Sequence, residues 1–248
     1  MSEVLLRITS PDEWAAGAIA DEGDGFVHLS RPDQVLTPAN ALYHGRSDLQ
    51  LLVLDPARLG DVRVEDGFPH LYGTLTADAV VDTVSFPCDH DGGFRLAFVP
   101  MHASRPPASE LIAGMVEDLA PLYGADVFTK AGAPSASPDE MWAPTGTFLV
   151  GWDEDGRPVC GGGVKRLGDD VAEIKRMFVV ADARSRGHAR RLLTALEDAA
   201  RRIGYSRVRL DTGPKQPHAV ALYDSAGYRQ IPDYNGNPAA TYFAEKDL

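Results

Sequence analysis

The sequence predicts two domains, an N-terminal α+β unit over residues 1–90 and a C-terminal α/β unit over residues 91–248. Three observations predict this. The 248 residues exceed the roughly 100–200 typical of one domain. Residues 1–93 carry 16 acidic and 5 basic side chains, net −11, whereas residues 94–248 carry 20 and 19, net −1. The polar stretch CDHDGG, residues 88–93, interrupts the apolar patterns just after Pro87.

In the first unit VLLRI reads as a strand, and Ser10 caps a helix through PDEWAAGAIA with Pro11 at its first position. GFVHLS reads as a strand, and PDQVLTPANALYHG as a helical pattern interrupted by Pro38. LQLLVLDP is a buried strand closed by Asp55 and Pro56, and VVDTVSF is the last strand. The second unit opens with the strand FRLAFVP and the amphipathic helix PASELIAGMVEDLAPLYG. The Pro-, Ser- and Ala-rich stretch KAGAPSASPDEMWAP, residues 130–144, is expected to be a mobile loop bordering a site. Then come a hairpin over TFLVGWDEDGRPVCGGGVKRL, the strand VAEIKRMFVV, a helix from Arg184 to Ile203 ended by Gly204, the strand RVRLDT, the short helix PHAVALYDSAG and the closing strand TYFAEKDL.

With 44% hydrophobic and 24% charged residues, the composition is that of a globular protein. No apolar run approaches the roughly 20 residues that span a bilayer, and MSEVLLRITSPDEW is no secretory signal, so a soluble cytoplasmic protein without a membrane role is expected. Cys88 and Cys160 read as two buried free thiols, with no disulfide framework or structural zinc indicated. The acidity of the first part argues against a nucleic-acid partner, because an acidic surface repels phosphate backbones.

The stretch RSRGHARRLL, Arg184 to Leu193, crowds four arginines around one glycine directly after the apolar MFVV. Strand, tight turn and helix start in that order make an anion cradle, since a helix start offers unpaired N–H groups and the positive end of the helix dipole. Gly187 lets the backbone approach, Arg184 and Arg186 add charge, and the small Ala189 leaves the space open, which suits a diphosphate. Arg190, Arg191, Arg201 and Arg202 lie opposite the stripe Ala189, Leu192, Leu193, Leu196, Ala200 and Ile203 and read as a solvated face.

Arg184–Ala189 resembles the [R/Q]-x-x-G-x-[G/A] pattern of the GNAT superfamily of N-acetyltransferases. VAEIKRMFVV before it, RVRLDTG a helix later and AVALYDSAGYR after that follow the superfamily's order over residues 94–248. The resemblance implies a mixed sheet splayed between the MFVV and RLDT strands, and acetyl-CoA as acyl donor. Met177, Phe178 and Val179 are implied to pair with pantetheine, a bulge aiming the Val179 N–H at the thioester carbonyl. Arg184, Ser185, Arg186, Gly187, His188 and Ala189 are implied to hold the pyrophosphate. Gln216 stands where the superfamily often has asparagine. Tyr223 occupies the place of the general acid, or is a core tyrosine. Glu173 is either the base acting through water or a surface glutamate paired with Lys175 or Arg176. The acceptor is expected to be a small-molecule amine or amino acid, held by Asp139, Glu140, Asp233 and Trp142 unless these are merely solvated. Dimerisation is implied by family likeness alone.

GFVHLSRPDQV and FPHLYGTL resemble an uncharacterised bacterial domain family over residues 1–87. His28, Ser30, Gln34, Glu65, His70 and Tyr72 form a candidate polar pocket, or the histidines are satisfied buried donors. The strand H-x-S with a later glutamate is more distantly similar to the nicotinamide-ribose contacts of the ADP-ribosyltransferase fold. The expected function is N-acetyl transfer, the alternative an acetyl-CoA-sensing or ligand-binding protein whose activity, nucleotide-related in one version, lies in the N-terminal domain.

Overall fold

The computed structural model describes residues 4–21, 23–124, 134 and 136–248. The described chain divides into two units, Met1–Pro100 with Gly151–Pro158, and Met101–Val150 with Val159–Leu248. Against the expected boundary at residue 90, CDHDGG belongs to the first unit. Gly92 N–H donates to Asp89 O and Asp89 N–H to Gly93 O, closing a turn. The side chain of Asn40 then exchanges two hydrogen bonds with the backbone of Phe94, pinning the segment in place.

Ser10 does cap a helix, its hydroxyl accepting from Glu13 N–H and Glu13 returning a bond to Ser10 N–H. That helix, α1 (Pro11–Trp14), is only one turn long. Gly17 takes φ 67°, and Ala18–Ile19 (β2) leaves to pair with Leu75–Thr76 (β7). Strand pairing has overridden the helical propensity of the alanine-rich stretch. Helix α2 (Leu36–Leu42) accommodates Pro38 in its first turn, where the missing N–H has no partner to lose. β4 (Gln50–Leu54) lies between β1 (Leu5–Thr9) and β8 (Val80–Ser85). A second sheet pairs β3 (Val27–His28), β6 (Phe68–Tyr72) and β5 (Asp61–Glu65), the last absent from the sequence expectation. Leu5, Val27, Leu52, Leu54, Leu71 and Leu75 form the core between them. β9 (Ala97–Pro100) ends the segment.

In the second unit the strands lie in the order β14 (Arg229–Gln230), β15 (Tyr242–Asp247), β13 (Arg207–Thr212), β12 (Val171–Val179), β11 (Pro158–Arg166), β10 (Thr147–Trp152). β12 runs parallel to β13 and antiparallel to β11, so the sheet is mixed. Helix α3 (Ala108–Tyr123) buries Leu111 and Met115, and α4 (His188–Ile203) buries Leu192, Leu193 and Leu196. Helix α5 (Pro217–Ser225) follows β13. Of the two cysteines expected to be buried, Cys160 is, and Cys88 is partly exposed.

The run Gly161–Gly163 in β11 lets neighbours close on both faces. A Cβ on Gly161 would meet Phe148 at 2.9 Å and Leu111 of α3 at 3.1 Å; one on Gly162 would meet Leu196 of α4 at 2.9 Å and Met177 at 3.1 Å. Gly162→Val is therefore expected to destabilise the protein by about 1–3 kcal/mol through overpacking, read from urea denaturation.

Candidate functional site

β12 and β13 are in register at only three pairs, Val171↔Arg207, Ala172↔Val208 and Glu173↔Arg209. Beyond them β12 continues against β11, and β13 against β15, so the strands part and leave a wedge. One extra residue enters β12 at the same level. Gly163 pairs with Lys175 and Gly161 with Phe178, and Arg176 takes φ 58°, which together make a β-bulge.

Two cavities occupy this unit. The smaller, about 160 Å³, has Lys175, Arg176, Asp211, Asn237 and Tyr123 in its wall. The larger, about 700 Å³, runs along Met177, Phe178 and Val179 to Arg184, Ser185, Gly187, His188 and Ala189. Met177, Gln216 and Tyr223 line both.

Each element at the larger cavity has a local cause. Ser185 and Gly187 take φ 64° and 81°, turning the chain sharply from the strand into α4. Gly187 is the N-cap and supplies no side-chain cap; its carbonyl accepts from the N–H groups of Arg190 and Arg191, and the first residues of α4 line the cavity. Arg184 is anchored by Nε to the Val179 carbonyl at 3.0 Å and by Nη2 to Asp118 at 2.9 Å. The exposed Arg186 is not in the cavity wall; its carbonyl accepts from Arg191 Nη1 at 3.0 Å. Gln216 accepts from the Thr212 hydroxyl at 2.7 Å.

The Tyr223 hydroxyl lies 3.9 Å from Met177 Sδ, and the residue is 7% exposed. Burial, with the charge of Asp211 second, raises the phenol's pKa, so it stays a proton donor at neutral pH. Glu173 is paired with Lys175, as one of its two readings expected, but it is not a surface residue and it lines neither of the two cavities. It is 1% exposed. Its Oε1 accepts from Tyr234 Oη and Asn235 Nδ2, each at 2.8 Å, and lies 3.0 Å from Lys175 Nζ. Burial raises the Tyr234 phenol, and the Glu173 charge adds to it. A carboxylate so occupied is an anchor for its donors, unsuited to collecting a proton from the cleft.

The carboxylate that does reach the small cavity is Asp211, paired with Lys175 Nζ at 2.5 Å and bonded by Asn237 Nδ2. Neither Asp211 nor Asn237 carried a signal in the sequence, because their meeting depends on the terminal segment folding back. The loop residues expected at the acceptor are engaged elsewhere. Asp139 bonds His102 at 3.2 Å, Glu140 bonds Lys165 at 3.0 Å, Asp233 caps Asn235 and Gly236, and Trp142 packs edge-on to His102. Of the expected mobile loop, residues 130–133 and 135 lie outside the described residues.

In the first unit, His28 and His70 are cross-strand partners with ring centroids 5.2 Å apart. Phe26 stacks on His70 at 4.0 Å, Tyr72 donates to Glu65 at 2.8 Å, and Arg63 lies over the Tyr72 ring. His28, Glu65, His70 and Tyr72 thus come together. Gln34 instead donates to Gly67 O, and Ser30 exchanges backbone bonds with Leu6. Among the described residues no group of three or more His, Cys, Asp or Glu side chains could hold a metal ion, and no helix is long and apolar enough to cross a membrane.

Comparison with known proteins gives each unit a relative. Residues 114–228 match the Acetyltransferase (GNAT) family, and residues 8–83 match a family described as a protein of unknown function, DUF952. The chain is 29% identical over 148 residues to an IAA acetyltransferase of Azospirillum brasilense, covering 59% of this chain and 96% of that one. It is 32% identical over 83 residues to the uncharacterized N-acetyltransferase YjgM of Escherichia coli, covering 32% of this chain and 49% of that one. The crystal structure of protein CC0527 from Caulobacter crescentus aligns at 30% identity with TM-score 0.34, over 37% of this chain and 93% of that one.

Replacing Glu173 by Ala removes one of the two carboxylates paired with Lys175 and the shared acceptor of Tyr234 and Asn235. A loss of about 3–5 kcal/mol in unfolding free energy is expected, the scale for breaking a buried ion pair, measured by chemical denaturation.

Proposed function

We propose, for a chain that joins a DUF952 domain to a GNAT acetyltransferase domain and is an acyltransferase, that it moves an acetyl group from acetyl-CoA to a primary amine of a small molecule. The observation that carries this reading is the meeting of the two cavities at Met177, Gln216 and Tyr223. One cavity ends at an open helix N-terminus fit for a diphosphate, and the other is a small polar chamber fit for an acceptor.

The residues divide the work as follows. The N-terminal start of α4 holds the diphosphate by its backbone and helix dipole, with the glycine turn allowing close approach. Met177, Phe178 and Val179, freed from β13 by the splay, offer backbone groups to the pantetheine arm. The bulge at Arg176 re-aims the backbone that follows it, and the Val179 N–H is our candidate to stabilise the oxyanion. The acceptor's neutral nitrogen attacks the thioester carbonyl and forms the C–N bond. The C–S bond then breaks, Tyr223 gives its proton to the departing thiolate, and the surplus proton on nitrogen passes to solvent. The buried state of Glu173 is what an acetyl-CoA-sensing role predicts, but the place of Tyr223 at the junction favours catalysis. The remaining proposals are a cytoplasmic location and a ligand-binding role for the His28–His70 face.

A release assay for coenzyme A thiol over a panel of small amines and peptides tests the reading. Turnover with small amines is expected, and turnover with peptides alone would contradict it. Tyr223→Phe should lower kcat by about 10²–10⁴, the usual worth of a general acid. Because burial raises the phenol's pKa above its ordinary value of about 10, wild-type kcat should show no loss from Tyr223 ionisation below about pH 10. A kcat for Tyr223→Phe within twofold of wild type would remove the residue from the mechanism.

A further inference from the structure

We propose that Tyr123 selects the acceptor, its hydroxyl holding an uncharged oxygen that the acceptor carries beside its amine, an inference that rests on the acetyl-transfer reading above. Met115, Leu119 and Tyr123 recur every four residues along α3, the spacing that stacks side chains on one face of a helix, and all three line the small cavity. Met115 and Leu119 make that stripe apolar, and Tyr123 ends it with a polar group. The first two also reach the larger cavity, whereas Tyr123 lines only the smaller of the two. Tyr123 therefore stands on the acceptor's side and not on the acyl donor's.

The turn after β13 holds the phenol in place. A Cβ on Gly213 would meet the Tyr123 hydroxyl at 2.5 Å and the Ala239 carbonyl at 2.8 Å, so the close approach of the ring depends on glycine there. Lys215 N–H donates to Tyr123 Oη at 2.8 Å, and Lys215 Nζ donates to the Leu122 carbonyl at 2.7 Å while lying 5.9 Å from the centre of the Tyr123 ring. A phenol that accepts one hydrogen bond still has its own O–H to give. Among the described residues none accepts it, which leaves that donor to a molecule in the cavity. The cations of the same wall are already engaged, since Lys175 is shared between Asp211 and Glu173 and Arg176 has a partner of its own. A carboxylate on the acceptor would find its counter-charge spent, and burying it unpaired is costly, whereas a hydroxyl or amide oxygen needs only a neutral donor. At about 160 Å³ the space is well below the roughly 300–1,000 Å³ of sites for drug-sized ligands, so the amine and the oxygen must lie on one short molecule.

The test compares kcat/KM with acetyl-CoA for amines that carry a neutral oxygen and for alkylamines of the same shape, ethanolamine against propylamine and glycinamide against isobutylamine, with glycine to supply the carboxylate. The wild type should prefer ethanolamine and glycinamide to their alkyl partners and to glycine. Tyr123→Phe should lower the oxygenated-to-alkyl ratio by roughly 5- to 100-fold, the worth of leaving a buried oxygen without its donor, with the change in the KM of the oxygenated amines. Its affinity for acetyl-CoA, measured by calorimetry, should stay that of the wild type. Gly213→Ala, whose Cβ must displace the hydroxyl without removing it, should move the ratio in the same direction. The ratio is internal to each variant, so a general loss of folded enzyme cancels, and each amine's basicity is common to all of them. An unchanged ratio in Tyr123→Phe, or a wild type that favours the alkylamines or glycine, would overturn this inference alone. A wild type that binds acetyl-CoA and acetylates none of these amines would overturn the acetyl-transfer reading and this inference with it.

Discussion

The parting of β12 from β13 after Glu173 and Arg209 is the constraint on which the rest of the second unit depends. Two parallel strands normally satisfy each other along their whole length, and backbone groups released from a ladder inside a protein need other partners. Here the release begins after three residue pairs, and the bulge at Arg176 adjusts the register of β12 against β11 at the same level. The result is an open strand edge next to an uncapped helix N-terminus, with Tyr223 of α5 between them. An extended donor with an anionic end and an electrophilic end fits that arrangement without any new fold element.

Behind the wedge stands a buried cluster of alternating charge. Lys165 joins Glu140 to Glu173, Lys175 joins Glu173 to Asp211, and the terminal segment enters through Tyr234, Asn235 and Asn237. Buried charges are costly unless each is paired and hydrogen-bonded, and here the pairs come from separate stretches of chain. The cluster therefore ties the loop that carries Glu140 and the returning segment 233–239 to the strand that forms the cavity floor. The same side chains therefore hold the strand and bound the small cavity, with Glu173 as the anchor of Tyr234, Asn235 and Lys175.

Much of this fold was legible where physics is local. The amphipathic stripe of α4, the glycines at its two ends and the helix cap at Ser10 each express a short-range rule, and each stands at or near its expected place. The splay itself came from family likeness, because no residue pattern in one strand announces where its neighbour will leave it. The alanine-rich stretch after Trp14 reads as helix until its pairing with Leu75–Thr76 is known. CDHDGG reads as a linker until Asn40 binds Phe94, 54 residues away in sequence. The burial of Glu173 was hidden for the same reason, although its pairing with Lys175 was among the expectations. Alternation tells which face a strand residue takes, and says nothing of the tyrosine and asparagine that arrive some 60 residues later. Arg176 and Asp211 reach the wall of the small cavity only once the bulge and the returning segment are in place.

The central claim is that the turn into α4 holds the diphosphate of the acyl donor, and calorimetric titration with acetyl-CoA tests it most directly when wild type is compared with Gly187→Glu. Saturable one-to-one binding by the wild type and its loss in the variant are expected, because the variant's carboxylate would stand where the anion must lie. Equal affinity in both proteins would place the donor elsewhere and contradict the account, and so would the absence of binding by the wild type.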